Sequence, residues 1–139
     1  MTPRVVSMTI RRLRPEGLVT SPAFSHVAVV PPGATTVYVG GQNAVDADGN
    51  LVGEGDVAAQ SVRALDNVRT ALAAAGASLA DVVQWTVLFV DGVDVAAAYR
   101  AIAPDLASDE PALVTGATVS ALGFPGALVE IAAVAAVVP

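Results

Sequence analysis

Cysteine and lysine are both absent from this chain. Without cysteine there is no disulfide, no thiolate nucleophile and no cysteine-bound metal, and the redox compartment leaves no mark. Without lysine, all seven basic residues are arginine. Four of them (Arg4, Arg11, Arg12, Arg14) fall in the first 14 residues, and none lies beyond Arg100. Thirteen acidic residues bring the net charge to −6. That charge repels a phosphate backbone, so nucleic acid is excluded as a partner except through the amino-terminal arm. Long hydrophobic runs are also missing. Hydrophobic residues make up 54% of the chain, yet the longest run, 131–138, is far short of the ~20 residues that cross a bilayer. No membrane partner is expected. The opening "MTPRVVSMTIRR" holds no apolar stretch of signal-peptide length, which makes a cytoplasmic location the default.

What is present is alanine, valine and short β-rich runs. The chain has the length of one domain, 1–139, with 1–20 as an amino-terminal strand or arm. Strands are expected at 8–14, 26–30 and 35–41, the last two joined by the turn "PPGA". Over 56–76, Val57, Ser61, Leu65, Val68, Leu72 and Ala75 recur at steps of three and four, which predicts an amphipathic helix. Asp56 is its candidate N-cap and Gly76 its candidate C′ residue. "DVVQWTVLFVD" (81–91) reads as a strand buried on both faces. A short helix over 94–104 is expected to stop near Pro104. Strands at 111–122 and 126–138 complete the order β-β-β-α-β-α-β-β. The pattern predicts an α+β fold, one six-stranded mixed β-sheet with two helices on one face. No helix is left to cover the other face, so a homo-oligomer is expected.

The run "YVGGQNAVDADGNLVGEGDVAAQSVRALDNVRTALAAAGASLADVVQWTVLFVD" closely resembles the RidA family of enamine/imine deaminases, also described as endoribonuclease L-PSP-like. Gly40-Gly41-Gln42, Ala58-Ala59-Gln60, Leu65-Asp66-Asn67, Ala75-Gly76 and Asp81-Val82-Val83 carry the likeness in order. "ALVEIAAVA" resembles the family's last strand, and the resemblance covers 21–139. It implies a chorismate mutase-like homotrimer with small-molecule pockets between subunits. It also implies hydrolysis of a 2-imino acid, without metal or other cofactor. An arginine on the fifth strand would clamp the substrate carboxylate bidentately, and a glutamate on the last strand would handle water.

Carried over residue by residue, Glu130 stands at the glutamate position and is the candidate catalytic residue. The alternative for Glu130 is a solvated or hydrogen-bonded carboxylate without chemistry. Gly41 and Gln42 match, while Gly40 replaces a serine, Phe24 a tyrosine and Ala96 an asparagine. The arginine position falls on Leu113 if counted from Pro111-Ala112, or on Thr115 if counted back from Glu130. Phe24, Gly40, Gly41, Ala96, Leu113 and Thr115 are thus candidate pocket residues. Arg100 or an arm arginine is a candidate substitute cation. Losing one partner of a buried charge pair costs about 2–5 kcal/mol, roughly 30- to 3,000-fold in affinity. Three readings follow: a trimer whose imine hydrolase activity is lost or altered, a working deaminase with a relocated clamp, and a non-catalytic binding or interaction trimer. His26 is read as structural, and Trp85 and Tyr99 as packing residues.

Overall fold

The computed structural model describes residues 8–139. Arg4 lies outside the described residues. The first helix, α1 (Val57–Ala74), begins where Asp56 accepts a hydrogen bond from the Ala59 amide at 3.0 Å. It ends in a Schellman motif: Gly76 N–H donates to Ala73 O and Ala77 N–H to Leu72 O. Gly76 adopts φ +73°, a conformation that costs a residue with a Cβ roughly 1–2 kcal/mol. The stripe expected from spacing is buried at Val57, Ser61, Leu65, Val68 and Leu72, whereas Ala75, expected to continue it, is the exposed C-cap. Ser61 satisfies its hydroxyl within the helix, donating to Val57 O at 2.7 Å.

All six expected strands form: β1 (Arg11–Leu13), β2 (Val27–Val29), β3 (Thr35–Gln42), β4 (Val82–Val90), β5 (Leu113–Val119) and β6 (Val129–Val137). They divide between two sheets. β1 and β2 form an antiparallel pair, and a four-stranded sheet runs β3-β6-β4-β5. Pro31 and Pro32 follow β2 and have no N–H to donate, which ends pairing before β3. The β4–β5 pair is parallel and is joined through α2 (Val95–Leu106). β6 runs antiparallel to both β3 and β4.

α2 passes through Pro104 to Leu106, two residues beyond the expected stop. Proline there removes one intrahelical bond near the end of the helix, and Leu106 gains contact with the core beneath it. Both helices pack on one face of the four-stranded sheet. Leu65, Val68, Leu72, Ala98 and Ile102 meet Trp85, Val87, Phe89, Val129, Ile131 and Ala133 in one cluster. β4 is buried on that face alone, since its alternate residues are half-exposed. No helix is long and apolar enough to cross a membrane among the described residues.

Leu65→Ala removes a fully buried side chain and is expected to cost about 2–5 kcal/mol. Gly76→Ala meets no atom within 4 Å, so its cost is torsional alone, about 1 kcal/mol. Urea unfolding of both variants checks the order.

Candidate functional site

Strand alternation sends Glu130, Ala132 and Val134 to the face opposite the helices. Across β4, Leu88 stands opposite Glu130, Thr86 opposite Ala132 and Gln84 opposite Val134. Ala117, Thr115 and Leu113 continue those rows on β5, and Tyr38 lies opposite Val134 on β3. Neither helix covers this open face, and Tyr38 is 79% exposed. Glu130 is the one charged side chain in the four strands of the sheet. It is half-buried.

The space for the Glu130 side chain is made by a missing side chain. A Cβ on Gly41 would stand 2.6 Å from the Glu130 carboxyl carbon and from Oε2. Between Val39 and Gln42 the β3 register slips, so Gly40 and Gly41 together face Ala132. This bulge turns the Gly41 backbone onto the carboxylate. Gly40 meets nothing within 4 Å, so only the second glycine is required sterically.

Two amides on α1, one buried and one half-buried, hold this arrangement. Gln60 is fully buried; its Nε2 donates to Gly53 O at 3.1 Å and Gly126 O at 3.2 Å, and its Oε1 accepts from Leu128 N at 2.8 Å. Leu128 lies two residues before Glu130. Two turns along the helix, Asn67 Nδ2 donates to Asn43 O at 3.0 Å and Val45 O at 2.9 Å. Asn43 Nδ2 in turn donates to Val129 O at 3.0 Å. The chain after Gly41 and the strand carrying Glu130 are therefore tied to the same helix. Gln60 and Asn67 had stood in the sequence only as points of resemblance, and Asn43 had not been singled out. An amide among apolar helix positions was the available signal.

The other candidate residues are dispersed. Leu113 and Thr115 share the open face with Glu130, and Thr115 Oγ1 accepts from Gln84 Nε2 at 3.4 Å. Leu113 pairs with Gln84, however, four residues along β4 from the partner of Glu130. That offset is about 13 Å along the strand, so the two do not touch within one protomer. Phe24 sits on the β1–β2 loop with its ring edge-on to His26, centroids 5.4 Å apart. The Ser25 amide docks this loop on Ala112 O at 3.3 Å. His26 Nε2 lies 2.6 Å from Val19 O, a structural hydrogen bond. Ala96 and Arg100 are exposed on α2, beyond the sheet from Glu130.

No described cation approaches Glu130. Arg12 donates to Ala80 O and Val82 O, and Arg14 to Asp109 O. Arg63 bonds Asn67, and Arg69 pairs with Asp66 and Asp105. Among the described residues the Glu130 carboxylate has neither an ion-pair partner nor a hydrogen-bond donor.

Residues 17–137 match the family model described as endoribonuclease L-PSP. A Rid-family protein of unknown function from Yersinia pestis is 33% identical; the alignment covers 91% of this chain and 97% of that one, with TM-score 0.79. A member of the YjgF/YER057c/UK114 family from Mycobacterium tuberculosis is 29% identical over 93% of this chain and 100% of that one, TM-score 0.61. RidA from an Antarctic Psychrobacter is 29% identical over 87% and 98%, TM-score 0.64.

Gly41→Ala is expected to drive the Glu130 carboxylate into a new rotamer with less than about 1 kcal/mol lost, whereas Gly40→Ala leaves it in place. Crystal structures of the two variants decide it. Gln60→Leu strands three backbone groups and should cost about 3 kcal/mol or more, read from the urea midpoint.

Proposed function

The chain belongs to the endoribonuclease L-PSP family, the Rid family of its solved relatives, and from that premise we propose that it is a homotrimer holding small molecules in clefts between subunits, with its hydrolysis of 2-imino acids lost or much reduced. The ligand is less acidic and more apolar than a 2-imino acid. One observation carries this reading: the open face of the sheet keeps Glu130 in its glycine-backed recess, while β5 presents Leu113 and Thr115 and no arginine.

The chemistry follows from charge. A substrate carboxylate brought beside Glu130 would meet a second negative charge with no guanidinium to offset it. The missing clamp weakens such a substrate by roughly 30- to 3,000-fold. A neutral imine escapes that penalty. Glu130 is suited to take a proton from attacking water as oxygen adds to the C=N carbon. Returning that proton to nitrogen gives the carbinolamine, and moving the hydroxyl proton to nitrogen in turn breaks the C–N bond, so that ammonia leaves as the carbonyl forms. The apolar open face, with Tyr38 exposed on its β3 edge, supports burial against further copies of the chain. A clamp from Arg100 would have to come from a second subunit, because its own helix lies on the far side of the sheet. The family carries the description endoribonuclease; a net charge of −6 opposes that activity here.

The decay of enzymatically generated 2-iminopropionate, followed with and without protein, tests the proposal. Little acceleration is expected from the wild type, and Leu113→Arg should raise the rate by about 30-fold or more. A rapid wild-type reaction abolished by Glu130→Ala would instead establish a working deaminase with a clamp from elsewhere. Light scattering should return about 42 kDa, three times the chain mass of 13.9 kDa; a value of one chain mass rejects the trimer.

A further inference from the structure

On the helix side of the sheet, away from Glu130, a cavity of about 260 Å³ opens between α2 and strands β4 and β5. Its floor is Trp85, Val87, Phe89 and Ile102, all less than a tenth exposed. The gap has a sequence cause: α2 presents Ala103 to it, the C-cap residue that follows presents Ala107, and β5 presents Gly116. A Cβ at Gly116 would meet only Val87 O, at 3.8 Å, so the space above that glycine is empty. Gly116 and Val114 alternate with Leu113 and Thr115, which places this cavity on the opposite side of β5 from the open face.

None of the lining side chains is charged. Trp85, the chain's only tryptophan, supplies a buried polar group. Its indole N–H has no hydrogen-bond partner among the described residues. The sealed and unpartnered side-chain atoms there are Arg12 Nε and Ser25 Oγ alone, so the indole N–H stays accessible from space that the ring lines. The same ring borders a second recess of about 200 Å³ that holds Arg12, Asp105 and Glu110. Those carboxylates oppose an anion, and the uncharged chamber offers an ion of either sign no partner.

We propose that this cavity is a second small-molecule site, for a neutral, largely apolar ligand that accepts a hydrogen bond from the Trp85 indole. A concave, mostly apolar chamber with few polar groups is the usual form of such a site; here the polar groups in the lining belong to Trp85 and Tyr99. It is separate from the Glu130 site, and it does not depend on the reading of that site.

A single tryptophan gives a single indole resonance in a ¹⁵N-labelled sample. Three probes share one ring: acetophenone (neutral, with an acceptor), toluene (no acceptor) and benzoate (charged). Acetophenone should shift the Trp85 resonance saturably, with toluene and benzoate each about tenfold weaker or worse. Gly116→Leu fills the chamber from the sheet and Ala103→Leu from the helix; each should weaken acetophenone by about tenfold or more while melting like the wild type. Glu130→Ala should leave the titration unchanged. An indole resonance insensitive to every probe would show the cavity closed by a neighbouring copy and overturn the site. So would an acetophenone shift that survives both filling variants, or one that vanishes with Glu130→Ala.

Discussion

The Gln60 side chain is the constraint on which the rest of the molecule hangs. It has no exposure, and all of its hydrogen-bonding partners are backbone groups: Gly53 in the loop before the helix, and Gly126 and Leu128 far along the chain. A buried amide left unpaired costs free energy, so α1, the loop before it and the entry to β6 settle into one relative position. Everything polar on the open face inherits that position. Glu130 follows Leu128 by two residues, and Asn67 ties down the chain just beyond Gly41. The carboxylate is thus located by neutral groups on the far side of the sheet. Charge plays no part in holding it.

The two faces of the four-stranded sheet do different work with the same strands. Over 129–135 the helices bury the odd-numbered residues of β6, and the even-numbered ones stay half-open around a single carboxylate. β5 is the thinnest part of both faces. Its small residues leave the open face without a cation and the helix face without full packing. Glycine serves at both sites by absence. Gly41 leaves room for the Glu130 side chain, and Gly116 leaves an empty volume above Val87.

Much of the fold was legible in the residues. The period of α1 and both of its caps appear where Asp56, the apolar stripe and Gly76 placed them. The six strands form in the expected order, and the family resemblance is matched over 17–137. Strand ends were read too long, because Ala121-Leu122 after β5 and Ala127-Leu128 before β6 extend the apolar runs beyond the strands. The amino-terminal strands were placed in one sheet with the others. Prolines 31 and 32 interrupt that ladder, and composition alone does not say where a ladder breaks.

The site was legible as a list and not as a place. Sequence settled that a glutamate sits in an apolar strand and that no basic residue follows Arg100, because both are matters of identity and order. It also settled which residues share a helix face, since a fixed local period does that. Register between distant strands belongs to tertiary structure. It brought Gly41 against Glu130, set Leu113 four residues away along β4, and put Arg100 behind the sheet. Those relations arise from hydrogen bonds and packing between segments far apart in the chain, and no local pattern encodes them.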